Sequence, residues 1–339
     1  MKLRLMLNKN HSRVGSIISS VVSVSLLVLS GWVILNHQYV FDQWNVWQYQ
    51  PSADITAISN QVGMSEKGRF YFYASRPVVD SATDFNTNCQ NKDEKSAILG
   101  CYSIGRIYIR GIANHQLDGI EEVTAAHEML HVIWERMSAS DKQAVGMLLD
   151  AEYQKINNPA LKERIAYYDK YEPGERLNEL HSIIGTEVAN VGSDLEAHYG
   201  QYFTHRNNIV SLHAGYQQLF DSIKTQSDAL ITELNTLAID LKADIAQYND
   251  EAAAISDESN TLKNNANSVD RTSASEVNAF NAKRASLLAR ITQLEDFRVV
   301  INGKYDTYNT KLAEYNKLIV RSNELTQSLD GTLVAPPSL

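Results

Sequence analysis

The chain has 339 residues, 44% of them hydrophobic and 21% charged, which excludes wholesale disorder and leaves room for two domains or for one domain with an extended element. With 6 Pro and 16 Gly it is neither collagen-like nor loop-dominated. The net charge of −9 is unevenly spread: residues 1–13 carry Lys2, Arg4, Lys9 and Arg13 and no acid, residues 37–205 hold 14 basic and 23 acidic side chains, and residues 206–330 hold 13 and 17. An acidic body repels phosphate backbones, so nucleic acid is not an expected partner.

The first predicted element is a membrane span. From Val14 to Leu35 there is no charge and Ile, Val and Leu dominate. Roughly 22 such residues make a helix of about 33 Å, enough to cross the hydrocarbon core. A cleaved signal peptide has a shorter apolar region and a small-residue cleavage site, whereas here Leu35 is followed by Asn36-His37-Gln38-Tyr39-Val40. An uncleaved anchor is therefore expected, with the lipid bilayer as its partner. The cations precede the span and the next one is Lys67, so the basic tail, residues 1–13, is expected in the cytoplasm and the body outside it. The expected localisation is a single-pass protein of the cell membrane. Cys89 and Cys101, the only two cysteines, fit that placement as a disulfide. Closing a loop of this size stabilises by roughly 3 kcal/mol in the chain-entropy model.

Residues 37–205 form the next predicted domain, of class α+β. Asp54–Val62 reads as a short helix. Arg69-Phe70-Tyr71-Phe72-Tyr73 is rich in strand formers and precedes Pro77, which predicts a strand. Ile98–Tyr102 and Arg106–Ile109 read as a hairpin. Helices are then expected from Ser140-Asp141 towards Lys155, from Pro159 onward, and from Glu175 to Ile184, the last ending before Gly185.

Residues 206–330 differ in kind. Leu212, Tyr216, Leu219, Ile223, Leu230, Leu234, Leu237, Leu241, Ile245, Tyr248, Ala252, Ile255 and Leu262 advance by threes and fours with a gap and a stutter. The pattern lapses over Asn264–Ser273 and resumes at Val277, Phe280, Leu287, Ile291, Leu294, Ile301, Tyr305, Tyr308, Leu312, Tyr315 and Ile319. Such spacing predicts a coiled coil. Two arms around a polar break predict an antiparallel helical hairpin, each arm roughly 80–90 Å long, with a dimer of separate coils as the competing arrangement. The coil can serve self-association or a protein partner. Residues 331–339 read as a disordered tail.

The strongest chemical signal is His127-Glu128-Met129-Leu130-His131 on a predicted helix. Residues at i and i+4 share a helix face, so both imidazoles can reach one Zn²⁺. Glu128 lies about 100° further round, where its carboxylate can accept a proton from a water that zinc has made more acidic. Val123, Leu130 and Trp134 form an apolar stripe that would pack this helix into the domain. A catalytic zinc needs a third protein ligand. The metzincin continuation is excluded, because Trp134 stands where its Gly would be and Met137 where its third His would be. The best downstream stretch runs from Asn178 to Glu187. Its Glu179 and His181 lie on opposite edges of an apolar face, and periodicity does not choose between them.

HEMLH followed by a helix bearing Asn178-Glu179 resembles the gluzincin group of zinc metallopeptidases, the thermolysin-like arrangement. The resemblance covers mainly residues 98–190. It implies one Zn²⁺ per chain held by His127, His131 and Glu179, a zincin-like fold, Glu128 as general base and a polypeptide substrate. His181 would then be an alternative ligand or a neighbour of the ligands. The longer interval from His131 to Glu179, the smaller domain and the coiled coil depart from the large thermolysin-like enzymes. A donor to a developing oxyanion should exist, with His198, Tyr199, Tyr167 and Tyr168 as candidates whose more ordinary role is structural, and Asp194 and Glu196 are expected to cap or solvate a helix. The expected function is hydrolysis of peptide bonds by a membrane-anchored extracytoplasmic metallopeptidase. The rivals are a non-catalytic coiled-coil adaptor or structural cell-envelope protein with a structural or vestigial zinc site, and a hydrolase of non-peptide amides.

Overall fold

The structure is a computed structural model that describes residues 3–89, 99–171 and 174–329, with side chains from residue 18 onward. The expected tail, 331–339, and the cationic side chains of residues 1–13 lie outside the described residues. The chain divides into two compact units: residues up to Gln217 with the end of the last helix from Gln327, and Gln218–Thr326.

The first unit opens with α1 (Leu3–Leu35). Its Ile18–Leu35 stretch has a mean hydropathy of 2.2 and no buried residue, so α1 is long and apolar enough to cross a membrane. After Asn36 the chain enters α2 (His37–Gln48), then α3 (Ala53–Gln61) and α4 (Glu66–Ala74). The expected helix at 54–62 is present as α3. The expected strand at 69–73 is instead part of α4. Cap chemistry outweighs β propensity there: the Ser65 hydroxyl accepts the Gly68 N–H, and Glu66 sits in the first turn. Gly68 and Phe72, one turn apart, are then buried together.

β1 (Val78–Asp80) leads into α5 (Ala82–Asn88), and the predicted hairpin follows as β2 (Gly100–Ser103) and β3 (Arg106–Arg110). Its turn, Ile104-Gly105, has φ of 50° and 71°, the left-handed pair that a tight two-residue hairpin turn requires. The sheet order is β1-β3-β2, with β1 parallel and β2 antiparallel to β3. The Cys89–Cys101 disulfide forms, tying the end of α5 to β2.

The rest of the first unit is helical. It comprises α6 (Ile120–Arg136), α7 (Ala139–Tyr153), α8 (Pro159–Tyr171), α9 (Arg176–Glu187), α10 (Ser193–Tyr199) and the start of α11 (Asn207–Asn265). The core centres on α6, whose Ala125, Ala126, Met129, Leu130 and Ile133 are buried with Leu180, Ile183 and Ile184 of α9. Here too an expectation is corrected: Gly185 does not stop α9. A Cβ at this position would sit 2.5 Å from Leu130 Cδ1 and 2.8 Å from Tyr199 Cε1, so the glycine permits close packing of α9 on α6 inside a continuing helix.

The second unit is a pair of long helices, the remainder of α11 and α12 (Ala274–Leu329), joined across the predicted polar break. Lys304 on Asp244 at 2.5 Å, Arg290 on Glu251 at 2.8 Å and Lys311 on Glu233 fix an antiparallel pairing within one chain. Leu234, Leu241, Ile255, Leu287 and Ile301 are buried in the seam. Ile291 and Tyr305, assigned to the seam from the sequence, are 38% and 44% exposed. Arg290 and Lys304 share the 3-4 spacing of 287, 294, 301 and 308 and reach acids of α11, while Tyr305 lines a cavity beside Leu241 and Ile245 of α11.

Candidate metal centre

His127 and His131 sit one turn apart on α6, ring centroids 4.7 Å apart and nearly perpendicular. The first turn of α9 brings Glu179 between them. Its Oε2 lies 3.7 Å from His127 Nε2 and its Oε1 3.6 Å from His131 Nε2. One donor atom from each of the three residues falls within 4.8 Å of the others, so the group can hold a metal ion. Separations beyond hydrogen-bond length, with the three donor atoms still clustered, suit bridging by an ion better than direct pairing. Two imidazoles and a carboxylate are a zinc donor set that leaves a coordination position open.

Asn178 orients one ligand. His131 Nδ1 lies 2.9 Å from Asn178 Oδ1, and Asn178 Nδ2 donates to Glu175 Oε2 at 2.9 Å. A carboxylate only accepts, so Glu175 fixes which end of the amide is NH₂ and leaves Oδ1 for the ring N–H. His131 is thereby held as the tautomer whose Nε2 is a free lone pair, the form a metal needs.

The electrostatics agree. Burial pushes the Glu179 carboxyl up, but the adjacent His127 and His131 rings, when protonated, and the Arg164 guanidinium outweigh it and bring it to about 2 in the metal-free site. A position in the first turn of α9, near the positive end of the helix dipole, acts in the same direction. For His127 burial is the largest influence and lowers its pKa, yet Glu179, Glu128 and Glu187 together raise it. Glu128 is buried at 6% exposure beneath β2. A Cβ on Gly100 would come within 2.8 Å of both its Cγ and Oε1, so the bare glycine backbone of β2 leaves room for this carboxylate.

His181 and Tyr199 are not brought to this group. His181 is fully buried against Trp134, and its Nε2 meets His198 Nε2 at 2.8 Å. Burial holds His181 far below its usual value and, with Lys67, brings His198 to about 4, so one neutral ring donates to the other. The Tyr199 hydroxyl donates to the His181 carbonyl at 2.8 Å in a fully buried setting. That bond gives Tyr199 a structural role in place of the oxyanion role considered from sequence. Tyr168 is buried in the core, and Tyr167 packs on Tyr171 with ring centroids 4.7 Å apart. Glu196 accepts two bonds from the buried Arg206, in line with a structural role.

Sequence reasoning missed a second layer around the group. Arg164 of α8 donates to Glu187 at 2.6 Å, and His213 near the start of α11 lies 3.5 Å from the same carboxylate. Arg164 and Glu187 act electrostatically on Glu179 and His127 respectively. Three separate helices supply these residues, and no local spacing links them. No protein-family model, curated protein or solved structure matches this chain.

Proposed function

We propose that this chain is a membrane-anchored, extracytoplasmic zinc metallopeptidase of the gluzincin type. One observation carries the reading: His127, His131 and Glu179 converge from two helices, with the Glu128 carboxylate adjoining them on α6. The same ligand types with open positions also suit iron(II). A carboxylate in the general-base position favours zinc hydrolysis over iron chemistry. The basic tail before the span, with no further cation until Lys67, supports an extracytoplasmic body, and a disulfide suits an oxidising compartment.

Zinc, when bound, polarises a carbonyl and makes water a stronger acid. The chain's own residues do the rest. Glu128 takes one proton from the attacking water and delivers it to the departing amine nitrogen, so the carbon–nitrogen bond breaks and the carboxylate is regenerated. Asn178 keeps His131 in its ligating tautomer. β2 above Glu128 limits solvent around that carboxylate, which strengthens its electrostatic effect.

The test is elemental mass spectrometry on full-length protein in detergent, with peptide-library digestion alongside. About one zinc per chain is expected in wild type and in Glu128→Gln. Glu179→Ala should lose the metal, and both variants should lose hydrolysis. Zinc retained by wild type with no hydrolysis of any peptide would transfer the reading to a coiled-coil adaptor with a structural ion.

A further inference from the structure

α2 carries a free face whose chemistry the metal centre does not explain. Asp42 is its only acid, and the carboxylate points into the body: both its oxygens accept from Arg136, at 2.7 and 2.8 Å. On the opposite side Val40, Phe41, Trp44 and Trp47 follow helical 3-4 spacing. Phe41 is 65% exposed, Trp44 53% and Trp47 75%, and the two indoles pack edge to face. This is a wide, aromatic, uncharged patch on a body that is otherwise acidic.

Chain continuity identifies what covers it. α1 ends at Leu35, the apolar window ends at the same residue, and α2 starts at His37. A helix that begins two residues beyond a membrane span starts at the headgroup level. Trp and Tyr favour that level because one end of the ring is apolar and the other hydrogen-bonds. We propose that α2 is an interfacial helix. Its Val40, Phe41, Trp44 and Trp47 face enters the outer bilayer surface while Asp42 fastens the opposite face to the C-terminal end of α6. The patch has no cation and residues 37–205 are net acidic, so attachment depends on apolar burial and not on anionic lipid. The proposal rests on α1 crossing the bilayer, as in the reading above, and is independent of catalysis.

The experiment is tryptophan quenching of the full chain in phosphatidylcholine vesicles whose acyl chains carry bromine near the headgroup. Trp32→Leu retains Trp44 and Trp47, and the double variant Trp44→Ser/Trp47→Ser retains Trp32 in the span; both keep the buried Trp134 of α6 as a common background, and all replaced side chains are exposed. In Trp32→Leu, the emission above the Trp134 background should fall about two-fold relative to unbrominated vesicles, and the fall should not depend on salt. An unquenched Trp32→Leu beside a quenched double variant overturns the inference and leaves the anchor standing. Absence of quenching in the double variant removes the anchor itself. If bromine fails but the α2 indoles are still shielded from acrylamide, a protein, including a second copy of this chain, covers the face and the proposal is wrong.

Discussion

Asn178→Ala isolates the orientation of a ligand from its identity. The substitution removes the Oδ1 acceptor 2.9 Å from His131 Nδ1 and leaves all three metal donors in place. Asn178 is half-buried in the first turn of α9, so little core packing is lost. Without the acceptor, His131 is free to carry its proton on Nε2, the atom facing Glu179, and that tautomer must be reversed before a metal binds. Loss of such a partner weakens metal affinity about 10- to 100-fold, or about 1.4–2.7 kcal/mol. Glu179→Ala removes a donor and should cost far more. Asn178→Asp should retain most of the affinity, because a carboxylate accepts the same N–H. The assay is zinc competition against a chromophoric chelator, at fixed pH because ligand deprotonation couples affinity to pH. An Asn178→Ala affinity equal to wild type, with Glu179→Ala lost, would refute the claim that Asn178 sets the His131 tautomer.

Two glycines inside helices should respond with opposite sign to alanine. Gly185→Ala meets Leu130 and Tyr199, so overpacking of about 1–3 kcal/mol exceeds the helix-propensity gain of about 1 kcal/mol. Beyond its own helical backbone, no atom lies within 4 Å of where a Gly303 Cβ would stand, and Gly303→Ala should stabilise its helix pair by about 0.5–1 kcal/mol; thermal denaturation checks both. The Asp42–Arg136 pair is almost wholly buried, with side chains 3% and 8% exposed. Asp42→Leu alone should cost about 3–5 kcal/mol and the double variant with Arg136→Met much less; equal losses in denaturant melts would contradict an uncompensated buried charge. His198 is neutral in the fold, with its pKa reduced from 6.5 to about 4 by burial and by Lys67. The unfolded chain therefore binds the extra proton first. Its contribution to stability is complete above pH 6.5 and is lost as the pH falls towards 4, by at most about 3 kcal/mol. Melting of metal-free protein across that range should slope less in His198→Gln than in wild type, and parallel curves would exclude this cause.

The features legible in the sequence are those whose cause is local. A span without charge, Pro159 at a helix start and the i, i+4 histidines all act within one or two turns. The two arms and the break between them were legible because a seam repeats its own signal. What escaped depends on which face another element covers. Glu179 and His181, two residues apart on α9, face opposite ways: one meets the histidines of α6 and the other lies against Trp134 and His198. Nothing in their spacing reveals which of the two meets His127 and His131 and which meets Trp134, further along the same helix. Gly185 reads as a stop only when its neighbours are unknown, and Ile291 reads as seam only until Arg290 finds Glu251 across the pair.

Arg136 shows how far such tertiary links reach. It lies five residues beyond His131, about 7.5 Å along the axis of α6, and joins three elements at once. It donates to both Asp42 oxygens of α2 and, at 3.2 Å, to the Tyr102 hydroxyl of β2. Burial alone would lower its pKa, yet Asp42 and Tyr102 raise it well above the ordinary arginine value, so the clamp remains charged at any working pH. β2 is also the strand that lies over Glu128, through Gly100. α2 is therefore linked through packed and hydrogen-bonded elements both to α6 and to the strand above Glu128. On the peptidase reading, an interfacial α2 would hold the metal centre near the bilayer surface. The peptide bonds it reaches would then be those close to the membrane, such as the juxtamembrane segments of anchored polypeptides. Substrates tethered to the same bilayer should accordingly be cut faster than the same sequences free in solution, through effective concentration alone.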